Sequence, residues 1–207
     1  MVTTARTTKI VPTLLLISAV LGAMLFIGTD LVVGSLTKGY SFVFQSISQL
    51  SAEGAPMRSI VVPLVIASNV CVMAVGVGVW ELADQNAAMR VTGGLLFGNG
   101  LLGSVAAFFP TRLGVTPSRF TLTVVLGAAA VVCLVLAIAS GAAAFQNWFR
   151  FLSIAILLIF AVLTIVGFMQ ATPHVGLQER VLSYVFLLWV VMLGIALFSS
   201  GSRQSAV

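Results

Sequence analysis

Six long apolar stretches fill almost all of this 207-residue chain, and each is long enough to cross a bilayer. A helix rises about 1.5 Å per residue, so crossing the hydrocarbon layer takes about 20 apolar residues. The stretches predict helices over residues 11–36, 60–82, 91–109, 120–144, 151–170 and 181–199. Charged residues make up only 7% of the chain, whereas soluble domains carry about 25%. A chain this poor in charge has no means of covering itself with a water-facing surface. The expected fold class is therefore all-α, a polytopic six-helix membrane bundle forming a single domain over residues 1–207. Most predicted loops are short, so sequence neighbours should pack antiparallel. The tail 200–207 is short and polar.

The N-terminal segment carries Arg6 and Lys9 and turns apolar at Ile10. Its apolar run exceeds the length of a signal-peptide core and no Ala-x-Ala cleavage site follows, so it reads as the first membrane helix. Only the loop after this helix is long, residues 37–58. Within it Val43, Phe44, Ile47 and Leu50 fall on one side at helical spacing, and Ser41, Gln45, Ser48 and Gln49 fall largely on the other. That pattern predicts a short helix lying in the interface or folded back into the mouth of the bundle. Gly54-Ala55-Pro56 then turns the chain into the second helix.

The formal net charge is +5, from ten Lys and Arg against five Asp and Glu. In a membrane chain this excess lies in the loops, where it governs topology and lipid contact rather than nucleic-acid binding. One face holds Arg6, Lys9, Arg90, Arg150 and Arg203, and the other Lys38, Arg58, Arg112, Arg119 and Arg180. This tie leaves the charges ahead of the first helix to set orientation, which places both termini in the cytoplasm of a cell whose cytoplasmic membrane holds the protein. Cys71 and Cys133 lie inside apolar runs with no metal-ligand spacing, and the single His174 has only Glu179 near it, so neither a metal nor a cofactor is expected.

Polarity concentrates on the face of the odd-numbered loops. Tyr40, Ser41, Ser48, Gln49, Arg58, Arg119 and Arg180 all belong there and are the candidate ligand-binding residues. Guanidinium groups match phosphate or carboxylate bidentately, which points to an anionic lipid headgroup or small anionic molecule among the surrounding lipids. Asp30 sits about one and a half turns before the first helix ends. A carboxylate at that depth needs a cation, and Arg58, Arg119 and Arg180 are the available partners. Asn69 and Asn99, deeper in helices 2 and 3, read as structural polar groups bonding between helices. The Gly94-xxx-Gly98 spacing would let helices approach, within one chain or in a homo-oligomer. Arg58, Arg119 and Arg180 are spaced 61 residues apart, which suggests three copies of a helical hairpin. Asp30, His174 and Glu179 are the catalytic candidates. The expected function is binding of a lipid or small anionic amphiphile, or a role as a membrane partner subunit of another protein. A membrane-embedded lipid-modifying hydrolase and a small-molecule transporter are the alternatives.

Gly39-Tyr40-Ser41, Ile47-Ser48-Gln49-Leu50 and Gly54-Ala55-Pro56 together resemble the first-loop signature of the membrane family known as domain of unknown function 998. Phe109-Pro110 and Gly176-Leu177-Gln178-Glu179-Arg180 are also similar to that family, and the likeness spans roughly residues 11–199. The resemblance implies a six-helix bundle in prokaryotic membranes with no established activity. Members often carry Glu where Gln49 stands, an acid where Arg112 stands and a His near 118–120. This chain departs at all three places, which favours binding or a structural role over catalysis.

Overall fold

The computed structural model describes residues 2–109, 122–146, 148–169 and 174–204. Among these, six helices are long and apolar enough to cross a membrane. They are α1 (Val2–Leu36), α2 (Arg58–Glu81), α3 (Ala87–Phe108), α4 (Leu122–Ala144), α5 (Trp148–Met169) and α6 (Val175–Gln204). Asn86 starts α3 as its N-cap, its side chain accepting from the Met89 amide at 3.1 Å and satisfying one of the orphan donors of the first turn.

Each helix packs on its neighbours in sequence, and α6 returns to α1 and closes a ring. The core inside that ring draws Leu15 and Ala19 from α1, Val75 and Val79 from α2, and Leu96 from α3. Ile138 comes from α4, Phe149 from α5, and Trp189 and Leu193 from α6. Large apolar side chains such as Met24, Phe151 and Leu158 point outward, as lipid requires. Because lipid supplies little hydrophobic drive between helices, close backbone approach and interhelical hydrogen bonds hold the ring together. A Cβ on Gly76 would stand 2.6 Å from the Phe97 amide nitrogen, and one on Gly93 2.6 Å from the Gly76 carbonyl. The tight α2–α3 seam is thus built on Gly76 and Gly93. Gly94 faces the Trp80 ring on α2 and Gly98 faces Cys133 on α4, so the two glycines of the expected pair meet two different neighbours.

Polar bonds cross several other seams. Ser68 donates to the Gly22 carbonyl at 2.8 Å, Asn99 to the Ala130 carbonyl at 2.9 Å, and the Trp189 indole to Ser153 at 2.9 Å. Asn99 therefore fills the interhelical role its sequence position suggested. Asn69 packs against α3, its side-chain amide 2.9 Å from where a Cβ on Gly103 would stand.

Two helices run longer than the sequence reading: α1 begins at Val2 rather than 11, and α6 extends at both ends, reaching Gln204 rather than 199. Helix α6 begins at Val175 rather than 181, so Gln178, Glu179 and Arg180 lie inside a helix and not in a loop. Polar residues imply a loop only when water must satisfy them, and here the protein does so. The segment after α1 carries the expected short helical element: it turns through 37–46 into a 3-10 turn, Ile47–Ser51, that folds back into the mouth of the ring. Ile47 and Leu50 are its buried residues, and Leu50 packs with Val33 of α1 and Val61 of α2. The earlier start of α6 also weakens the triplication reading. Arg58 is the first residue of α2, whereas Arg180 stands five residues after the start of α6. Arg119 lies outside the described residues.

Candidate functional site: a strap clasped by helix 6 beside a small cavity

Arg180 is only 5% exposed and Asp30 1%. The guanidinium meets the carboxylate as a fork: Nε donates to Oδ2 at 2.9 Å and Nη2 to Oδ1 at 2.8 Å. Tyr184, one turn further along α6, donates its hydroxyl to the same Oδ2. Nη1 donates to the carbonyls of Phe42 at 2.7 Å, Gln45 at 2.9 Å and Gly176 at 3.0 Å. Nη2 also donates to the Tyr40 hydroxyl. All five N–H donors of the guanidinium thus meet acceptors within the chain. The Phe42 and Tyr40 rings flank it, their centroids 4.9 and 5.4 Å from Cζ.

The neighbours of Arg180 bind in concert. Glu179 accepts from the Ile47 amide at 2.9 Å and pins the 3-10 turn. Gln178 donates to the Leu163 carbonyl at 2.8 Å and ties α6 to α5. Leu177 donates its amide to the Val43 carbonyl at 3.1 Å. Gly176 has no Cβ because one would collide with the Gln45 carbonyl and stand 2.8 Å from that of Phe42. Residues 40–47 therefore form a strap clasped by the first turns of α6. Tyr40 completes it by donating to the Ser46 carbonyl at 2.9 Å. Burial pushes the Tyr40 phenol above its usual range, with the Arg180 guanidinium pulling the other way.

On its other side the strap walls a cavity of about 220 Å³ between the end of α1 and the start of α2. Lys38, Tyr40, Gln45 and Gln49 supply polar lining. Leu50, Pro56 and Met57 supply apolar lining, and no carboxylate lines the cavity.

The sequence candidates therefore divide. Tyr40 and Gln49 line the cavity. Ser41 is used locally: its amide donates to the Gln45 side chain at 2.7 Å, and its hydroxyl accepts from the Phe44 amide. Ser48 is exposed, 3.0 Å from the Ser46 hydroxyl. Arg58 donates Nε to the Ser51 carbonyl at 3.1 Å and lies outside the cavity lining. Arg180 is committed to Asp30 and the strap. His174 is exposed with its ring 5.4 Å from that of Phe44, and among the described residues no hydrogen bond joins it to Asp30 or Glu179. Sequence reasoning missed Lys38 and Tyr184 as site residues. Lys38 was legible as the one cation within 37–57, and Tyr184 as a hydroxyl one turn from Arg180 on the same helical face.

The first-loop motif and the Gly176–Arg180 motif, far apart in sequence, thus meet as the two halves of one clasp. A family model described as protein of unknown function (DUF998) matches residues 20–196. The chain belongs to this family. No curated protein and no solved structure matches it. The match takes in Asp30, the strap and Arg180, so the clasp lies wholly within the DUF998 region. This DUF998 chain is a multi-pass membrane protein.

Proposed function

We propose that this DUF998 protein binds the anionic headgroup of a lipid, or a small anionic amphiphile, in the cavity beside the strap. The observation that carries the reading is the lining itself: Lys38 is its cation, Tyr40, Gln45 and Gln49 add hydrogen-bonding side chains, and it holds no carboxylate. An ammonium beside hydroxyl and amide groups attracts phosphate or carboxylate, and the apolar wall of Leu50, Pro56 and Met57 suits the first carbons of a chain. Size narrows the ligand. The volume of about 220 Å³ falls below the roughly 300–1,000 Å³ of sites for drug-sized ligands. A headgroup fits and a whole lipid does not, so the chains of a bound lipid would lie along the outside of α1 and α2. Arg180 contributes through the strap and not as an anion ligand, because its donors are already used.

The test is mass spectrometry of lipid retained by protein released from nanodiscs, made with phosphatidylglycerol or with phosphatidylcholine alone. Wild type should keep phosphatidylglycerol through mild delipidation, and Lys38→Ala should keep several-fold less. Competition by dihexanoyl phosphatidate would show that a free amphiphile uses the same site, whereas no competition would assign the site to bilayer lipid. Equal retention by wild type and Lys38→Ala would refute the reading.

A further inference from the structure

We infer that Glu179 and Arg180 are positioning residues of this cavity, so that ligand occupancy and closure of the strap over α6 form one equilibrium. The inference rests on the binding reading above and adds its regulation. Neither side chain lines the cavity. Both hold the segment that does: Tyr40 and Gln45 face the cavity on one side of the strap, and on the other each gives an oxygen to Arg180. Glu179 fixes the next element along, at the Ile47 amide, one turn before the cavity residues Gln49 and Leu50. The bonds from α6 at Tyr40 and Gln45 therefore end on residues of the cavity wall, and those at Phe42, Val43 and Ile47 end within two residues of one.

The arrangement has two distinct states available. Residues 40–46 have no helix or strand ladder of their own, so the strap is held by a handful of bonds to α6 and by the burial of Ile47 and Leu50. Elements held in this way open locally without global unfolding. Opening would part Tyr40 and Gln45 from Lys38, because all three line the same cavity. A ligand that bridges them therefore stabilises the closed strap, and by linkage a closed strap binds the ligand more tightly. Lys38 sits at the hinge, two residues after the α1 terminus at Leu36 and next to Gly39, whose φ of +76° lets the chain turn there.

Hydrogen–deuterium exchange of the peptide covering 40–47 tests this, on full-length protein in phosphatidylglycerol and in phosphatidylcholine nanodiscs. In wild type, exchange should be slower with phosphatidylglycerol by roughly fivefold or more, the lower end of ordinary coupling between sites. Glu179→Ala should exchange faster in both lipids and retain less phosphatidylglycerol, although Lys38 is intact. Glu179→Gln keeps an oxygen for the Ile47 amide and should restore both readouts. Arg180→Lys keeps the charge opposite Asp30 but cannot span the Phe42 and Gln45 carbonyls, and should behave as Glu179→Ala does. Lys38→Ala should abolish the lipid dependence of exchange. If Glu179→Ala and Arg180→Lys open the strap without changing retention, or leave the strap closed, the coupling is wrong and the binding reading stands. If Lys38→Ala retains lipid like wild type, the binding reading fails and takes the coupling with it.

Discussion

Arg180 reaches six oxygens, two on Asp30 and one each on Tyr40, Phe42, Gln45 and Gly176. That number explains how a charged residue can sit buried near one end of a membrane bundle. Desolvation of the ion pair is expensive and the Coulomb attraction alone need not offset it. The additional carbonyl and hydroxyl partners make up the balance, and they do so by drawing in the strap. Removing one member of such a pair leaves the other charge buried and uncompensated. Arg180→Ala should therefore lower stability by about 3–5 kcal/mol, read as a fall in the midpoint of denaturant unfolding followed by tryptophan fluorescence. Combining Asp30→Asn with Arg180→Leu should recover part of that loss, because no unpaired carboxylate remains and energies within one network do not add. A double variant no more stable than Arg180→Ala would show that the pair is not the source of the loss.

At the scale of elements, the contact of strap and α6 depends on a missing side chain as much as on the charges. The Gly176 position leaves the Gln45 and Phe42 carbonyls room to approach the helix, and it is that approach that brings them to Arg180. Gly176→Ala should cost about 1–3 kcal/mol, the ordinary range for overpacking, and should speed exchange in 40–47. Gly28 of α1 is the control: a Cβ there meets nothing within 4 Å, so Gly28→Ala should change stability by less than about 0.5 kcal/mol. The prediction fails if thermal unfolding of the two variants shifts by the same amount. The same physics separates Gly76 and Gly93, where α2 and α3 touch backbone to backbone, from glycines that merely face a side chain.

The molecule as a whole is a closed ring whose two ends differ. The strap, the cavity and the Asp30–Arg180 pair lie at the end where α1 finishes and α6 begins, while a short connection at 82–86 joins α2 to α3 at the other. Ser48 and Gln85, both exposed, mark these two ends. Substituted with cysteine in a background lacking Cys71 and Cys133, each should react with an impermeant thiol reagent from one side of the membrane only, and from opposite sides. Labelling of both from the same side would overturn the six-span topology. The same experiment in vesicles of known orientation assigns the end that bears the cavity.

The sequence alone determined the solvent, the number of spans and the face on which polarity collects. These follow from composition and run length, which the thickness of a bilayer translates directly into helices. It also marked Asp30 as needing a cation, since the cost of a carboxylate in lipid is independent of the fold. It offered Arg58, Arg119 and Arg180 as partners without choosing among them. Only the tertiary structure made that choice, by closing α6 onto α1 across 150 residues of chain. It also moved Gln178, Glu179 and Arg180 from an expected loop into a helix, because their hydrogen bonds go to α5, the strap and α1 rather than to water. Lys38 became a cavity residue because the chain after α1 folds back toward the start of α2 and walls a space beside it. Local pattern records what each residue can bond to, and which partner it meets depends on chain closure that no local pattern contains.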